Sequence, residues 1–415
     1  MIETLKGLLK VESVAIHGEG QYPYGKEVSD AKDYMLNLCK SFGFRTKDAD
    51  GKYAYAEIGD GEELIGILCH LDVVPAGEGW DYPAFDGTLI KDPDGDRLYG
   101  RGTLDDKGPA VANVFAMKDI LDSGKPLNKR IRIIFGQSEE NGDWDDIEAY
   151  KQAEDIPNYG YTPDGEFPAI YGENGIMLVK VSLPLGDSGL KMISAGTAPN
   201  AVPATCVGET AEGIPFETQG KAAHGCMPWC GENAITKAME ALHQVPFADM
   251  YMDLIGWDLK GQKAGIGFSD EASGDLSLNA GMVKVEDSQV CLYLDIRYPV
   301  TFTECQIMDI LVGKFAAYGA STQLIHHMHP VYMDKDGPVM KALVSAYCKV
   351  TGDFTEPMTT GGGTYARSME NIIAFGPNFP GHPCTEHEKN EYILVEDFLM
   401  LRDIYRTALE ELVKL

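Results

Sequence analysis

No stretch of this 415-residue chain approaches the length of a membrane span. No basic segment with an apolar run and a cleavage site stands at its start. A cytoplasmic location is the expectation, on cysteine usage. Positive charge is scarce, with 35 Lys and Arg against 64 Asp and Glu and a formal net charge of -29. Nucleic acid and anionic membrane both need basic surface, so neither is expected as a partner. The nine cysteines are scattered and odd in number, which fits reduced thiols better than a disulfide framework. Cys226 and Cys230 are close in sequence, but no second Cys/His pair nearby completes a zinc knuckle. Internal repeats and low-complexity tracts are missing too.

What is present reads as an ordinary globular chain, 44% hydrophobic and 24% charged, long enough for two or three domains. Apolar spacing predicts a helix over residues 1–10 and another from Ser29 to Phe42, with Ser29 as its cap. Leu64 to Cys69 and Ile131 to Phe135 read as short buried strands. A helix is expected from Ala110 to Asp122. From Gly175 the pattern changes to strands and turns, and from about residue 331 the first style resumes. This is an α/β domain in two chain segments, 1–175 and 331–415, interrupted by an inserted α+β domain, 176–330.

The buried strands deliver chemistry at their ends. Ile131 to Phe135 runs into Glu139-Glu140, two adjacent acids that repel and lose solvation unless something compensates them. A metal ion does so when one carboxylate ligates it and the other serves as base toward the attacking water. Leu64 to Cys69 delivers His70-Leu71-Asp72, in which an acid can orient a ligating imidazole. Gly100 to Gly108 surrounds Asp105-Asp106, and that spacing fits neither a Walker loop nor a dinucleotide fingerprint. Asp164 follows Thr162-Pro163, and His387 opens His387-Glu388-Lys389-Asn390-Glu391. Singly, each has a plain structural reading as a turn, a capped histidine or an acidic loop. Together, His70, Asp105, Glu140, Asp164 and His387 all follow predicted strand ends, where open α/β sheets build sites. Five mixed nitrogen and oxygen donors exceed one four-coordinate zinc and suit a two-metal site of Zn²⁺, with Mn²⁺ or Co²⁺ as alternatives.

These motifs, in this order and over nearly the whole chain, resemble the co-catalytic zinc peptidase and deacylase family of aminoacylase, carnosinase and succinyl-diaminopimelate desuccinylase. Asp105 to Pro109, Thr162-Pro163-Asp164 with Phe167-Pro168, Ala223-His224-Gly225 and His387 to Ile393 look most like its PepV-type bacterial dipeptidases. The resemblance implies a zinc-peptidase catalytic domain with a mixed central sheet flanked by helices, and a lid as the insert. It implies two Zn²⁺ per subunit with Asp105 bridging. His70 and Asp164 would complete one site, and Glu140 and His387 the other. It further implies Asp72 orienting His70, Glu139 as general base, and His224 stabilising the oxyanion from the lid. Asn200 and Arg297 would hold the polar ends of a small peptide, and the Gly361-Gly362-Gly363 loop would line a carboxylate pocket. The stretch between Gly196 and His224 is shorter than in typical PepV-type lids, so a monomer and a homodimer both fit. Asn141-Gly142-Asp143-Trp144 also departs from the usual run after the acids, without moving Glu139 or Glu140. The expected activity is hydrolysis of unblocked dipeptides. The alternatives are an N-acyl amino acid deacylase with the same metals and a non-catalytic metal-binding scaffold, against which an intact Glu139 speaks.

Overall fold

The structure is a computed structural model that describes residues 1–18 and 20–415. It divides into two compact units. The first comprises Met1–Tyr171, Met333–Met358 and Thr364–Leu415, and the second Gly172–Tyr332 with Thr359–Gly363. The expected borders were 175/176 and 330/331. Thr359–Gly363 is the correction: expected with the closing segment, it groups with the insert, where Asn174 N–H donates to the Thr360 carbonyl at 2.9 Å.

In the first unit the central strands Arg130–Gly136, Leu64–His70, Tyr159–Thr162 and Ile372–Ala374 lie side by side and parallel. Ala54–Ile58 and Arg45–Asp48 extend the Arg130–Gly136 side antiparallel, and Ile170 pairs antiparallel beyond Ile372–Ala374, so the sheet is mixed. Leu64–His70 is buried along its whole length, as expected of a strand covered on both faces. Its side chains alternate between two cores. Ile65, Ile67 and Cys69 pack with the helices Ile2–Leu9, Lys107–Asp122, Pro338–Thr351 and Val395–Leu412, while Leu68 packs with Tyr150 and Tyr365. Each such Leu or Ile contributes about 1.5–3 kcal/mol of burial. A small antiparallel sheet of Thr88–Ile90, Arg97–Tyr99 and Tyr392–Leu394 ties the Gly100–Gly108 loop to the segment carrying His387.

Helix starts depart from expectation at two places. The second helix is Lys26–Ser41 behind Gly25, so Ser29 is not its cap but a buried residue of its first turn. Lys26, Glu27 and Val28 carry no breaker, and Val28 faces the core, so the helix begins earlier. The third begins at Lys107, with Asp106 at its N-cap, rather than at Ala110. Proline is tolerated in a first turn, and Pro109 sits there.

The second unit is a seven-stranded antiparallel sheet ordered Pro215–Gln219, Thr205–Thr210, Leu190–Ala195, Ser277–Glu286, Gln289–Tyr298, Gly175–Pro184, Ser321–Met328. The helices Ala234–Ala241, Pro246–Leu254 and Glu304–Ala316 build one core with the inward residues Met177, Val179, Val181 and Leu183. Asn233 caps the first of these helices, its Oδ1 accepting from Ile235 N–H and Thr236 N–H. No helix among the described residues is long and apolar enough to cross a membrane.

Candidate metal centre and substrate-side residues

The carboxyl ends of the parallel strands hold the metal candidates. His70 ends one strand, Glu139 and Glu140 follow the next, and Asp164 follows the third. Asp105 comes from the loop before Lys107–Asp122, joined to Asp106 by a cis peptide bond, and His387 adopts a left-handed φ of 60°.

Two donor groups result, His70–Asp105–Asp164 and Asp105–Glu140–His387, with the ligand atoms of each within 4.8 Å of one another. Asp105 belongs to both. Its Oδ1 lies 2.7 Å from His70 Nε2, and its Oδ2 lies 2.8 Å from His387 Nε2. Asp164 Oδ2 is 3.9 Å from His70 Nε2, and Glu140 Oε2 is 3.2 Å from His387 Nε2.

The tautomer of His70 follows from its other nitrogen. Nδ1 lies 3.0 Å from the Asp72 carbonyl, which can only accept, so in the neutral ring Nδ1 carries the proton and Nε2 offers a lone pair. Asp72 was expected to orient the ring through its carboxylate. The nearer carboxylate oxygen is 3.6 Å away, too long for a hydrogen bond, and Asp72 Oδ2 instead accepts from Glu140 N–H at 2.9 Å. Asp72 thus serves both metal groups, one through its carbonyl and the other through its carboxylate.

These residues fit a cation. Glu140 Oε1 is a buried atom without a hydrogen-bond partner, and buried His70 Nε2 and Asp105 Oδ1 face only one another, at 2.7 Å. Buried polar atoms are normally paired, so donors left this way in both groups call for a further partner in each. Two like charges about 4 Å apart repel by roughly 4 kcal/mol at an effective dielectric near 20, and a divalent ion reverses that sign. The titration directions agree. Burial, then Asp105, pushes Glu140 up to about 7. Burial raises Glu139 and Asp164 well above the usual range, with neighbouring carboxylates adding to it. Although burial opposes it, the two histidines hold Asp105 well below the carboxylate range. Hydrogen bonding to Asp105 and Glu140 lifts His387 to about 11.

Four neighbours had no assigned role in the sequence. Asp106 Oδ2 accepts from His70 N–H at 3.1 Å, fixing the end of that strand. Buried Glu391 accepts from Arg101 Nη1 at 2.7 Å and from the N–H groups of Gly102 and Leu104, clamping the loop that carries Asp105. Glu386 Oε1 accepts from Asn378 Nδ2 at 2.6 Å, and burial and Asp105 raise it to about 7. The Tyr365 ring stands edge-on to His70, with centroids 6.2 Å apart. Asp106 and Glu391 lie inside motifs noted above, but no pattern says that they bind backbone.

The second unit contains Asn200, His224, Arg297, Gly361 and Gly362, which were expected on the substrate side. Asn200 and His224 sit on facing loops, where Gly225 N–H donates to the Asn200 carbonyl at 2.7 Å. His224 is exposed, and its Nδ1 accepts from Cys226 N–H at 3.2 Å, which leaves the ring proton of the neutral form on Nε2. Arg297 was expected to offer its fork to a substrate carboxylate. It is buried, with Nε and Nη2 donating to the two Asp295 oxygens at 2.9 and 3.1 Å and Nη1 to the Gly361 carbonyl at 3.0 Å. Gly362 N–H donates to Thr360 Oγ1 at 3.1 Å, so that amide is committed inside the loop.

The fold and the two donor groups define a metallohydrolase. The model of the family described as Peptidase family M20/M25/M40 matches residues 66–411, and the chain belongs to that family. It is a metallopeptidase. A relative from Staphylococcus saprophyticus named "Putative dipeptidase SSP1012" is 34% identical, with 99% of this chain and 97% of that protein covered. That alignment spans 461 positions against the 415 residues here, so the relative carries extra segments. A "Putative dipeptidase" from Staphylococcus epidermidis is also 34% identical, over 99% of this chain and 96% of its own. Among solved structures, human carnosine dipeptidase 1 superposes with a TM-score of 0.64 at 17% identity, covering 100% of this chain and 96% of that one. An M20 family metallo-carboxypeptidase from Sulfolobus solfataricus gives 0.63 at 18%, covering 100% and 99%. A dipeptidase and a carboxypeptidase thus share this fold, which by itself does not choose between them.

Proposed function

We propose that this chain is a dipeptidase acting on unblocked dipeptides through two metal ions, Zn²⁺ with Mn²⁺ or Co²⁺ as alternatives. His70, Asp105 and Asp164 hold one ion, and Asp105, Glu140 and His387 the other. The observation that carries the reading is Asp105, whose two oxygens each face the imidazole of a different donor group. When bound, the ions supply Lewis acidity to the scissile carbonyl and to the attacking water. Glu139 takes the proton from that water and returns it to the leaving amine. Asp72 keeps His70 in the tautomer that presents Nε2. In the inserted unit, which we read as the lid, His224 Nε2–H donates to the oxyanion as charge develops. Asn200 and the Gly361-Gly362 loop, held by Arg297, receive the polar ends of the peptide. The dipeptide preference draws support from the names of the relatives. Cytoplasmic residence and a monomeric or homodimeric state belong to the same proposal.

The test is hydrolysis by the metal-reconstituted protein of Leu-Leu, Ala-Ala, β-Ala-His, N-acetyl-Leu and N-succinyl-diaminopimelate, with and without chelator. Chelator-sensitive cleavage of the free dipeptides alone supports the proposal. Cleavage of the blocked substrates alone transfers the chain to the deacylases.

A further inference from the structure

The second unit holds another group of donors, Glu304, His327 and His329, whose ligand atoms also lie within 4.8 Å of one another. Local structure explains the meeting. The edge strand Ser321–Met328 pairs with Gly175–Pro184 through a register shift between Leu324 and His326, which leaves Ile325 as the extra residue of a bulge. Bulges re-aim the side chains that follow them. His327 and His329 are two residues apart, the period that puts side chains on one face, and their ring centroids stand 4.4 Å apart at 78°. Glu304 opens the helix Glu304–Ala316, whose entry is fixed where Thr303 N–H donates to Gln306 Oε1 at 2.9 Å. Cys305 Sγ–H donates to Glu304 Oε1 at 3.5 Å, while Oε2 lies 3.8 Å from His327 Nε2.

We propose that Glu304, His327 and His329 bind one divalent ion of the zinc class, at a site that shares no residue with the donor groups of the first unit. Two imidazoles and one carboxylate favour Zn²⁺, Co²⁺ or Ni²⁺ over Mg²⁺ or Ca²⁺, which prefer all-oxygen ligands. Three protein ligands leave one tetrahedral position for water. The Tyr298 hydroxyl, 2.8 Å from His327 Nε2, is the partner an ion would displace. The site joins the start of a helix to the edge strand of the sheet, and none of its ligands belongs to the peptidase machinery.

Metal analysis after dialysis of the full chain against buffered Zn²⁺ tests the site. His329→Ala removes an exposed side chain and Glu304→Gln keeps size, so both variants should fold. Each should carry one equivalent of zinc less than wild type and hydrolyse Leu-Leu at the wild-type rate. Asp105→Ala, which disrupts the peptidase centre, should retain one equivalent that Asp105→Ala/His329→Ala lacks. Equal zinc in wild type and His329→Ala, or no difference between the two Asp105 variants, overturns the proposal.

Discussion

In the first unit, Glu140 leaves a buried oxygen unpaired, and His70 Nε2 and Asp105 Oδ1 face only one another. In the second, Arg297 and the Gly361-Gly362 loop are tied to one another and to Asp295 and Thr360. One group is electrostatically incomplete as folded, and the other is a hydrogen-bonded network with an exposed histidine beside it. An incomplete group calls for a cation, whereas a hydrogen-bonded network positions the groups it presents. Substitutions in the first should therefore act on metal content and chemistry, and those in the second on rate or affinity with metal intact.

The sharpest break is Glu139→Gln. The amide fills the same space but cannot take a proton, so kcat should fall by about 10²–10⁴ while metal content holds. Near-wild-type turnover would remove Glu139 as base. His224→Ala comes next. Removal of one oxyanion donor costs about 10²–10³ in kcat, again with metal unchanged. A loss of metal instead would erase the contrast between the two units.

Metal removal probes the first unit directly. Folded Glu140 titrates near 7 against an ordinary 4.5, and His387 near 11 against 6.5. Both are raised, so the metal-free folded state binds more protons than the unfolded chain, from about pH 4.5 to 7 through Glu140 and from about 6.5 to 11 through His387. Their stabilisation is present at the acidic end of each window and is lost as pH rises. The slope is on the order of 1.4 kcal/mol per pH unit for each extra proton. Asp105 has the opposite sign, and its contribution is lost only on acidification below the ordinary carboxylate range. Bound metal displaces the protons, so the melting temperature of the loaded protein should change little from pH 6 to 9, while that of the chelated protein falls. Parallel curves would show that the cluster is not where the metal binds. His387→Ala should lower the metal equivalents and flatten the chelated curve.

The same contrast explains what could be read from the sequence. His70 and Glu139-Glu140 could be read as candidates because each follows a strand recognisable from its apolar run, whereas Asp164 follows the mixed strand Tyr159–Thr162 and became a candidate only together with the other motifs. The α/β class followed from those short strands and the helices between them. Asp106 and Glu391 were not legible in role, because their partners are backbone N–H groups, which look alike at every residue. Ser29 misled because a good cap residue can sit inside a helix that starts a turn earlier. The bidentate pair of Arg297 was not legible, because Asp295 lies two residues away on one strand face and a nearby acid in sequence does not reveal such a pair. The grouping of Thr359–Gly363 with the insert rests on contacts nearly two hundred residues apart in the chain, such as Asn174 with Thr360, which no local pattern encodes.

The smallest effect expected is the most diagnostic for the second unit. Arg297→Lys keeps the charge but loses the planar fork, so one ammonium must replace two bonds to Asp295 and one to Gly361. A stability loss of roughly 1–3 kcal/mol follows from the weakened charged hydrogen bonds, whatever the residue does for substrate. Function separates the readings. If Arg297 sets the Gly361 loop to receive the peptide's carboxylate, KM for Leu-Leu should rise about tenfold with kcat nearly unchanged. The wild-type preference for Leu-Leu over its C-terminal amide should shrink in parallel. If the pair only braces the sheet, melting temperature will fall while KM and that preference stay put. Arg297 would then be a brace within its own unit, and carboxylate recognition would have to come from other groups.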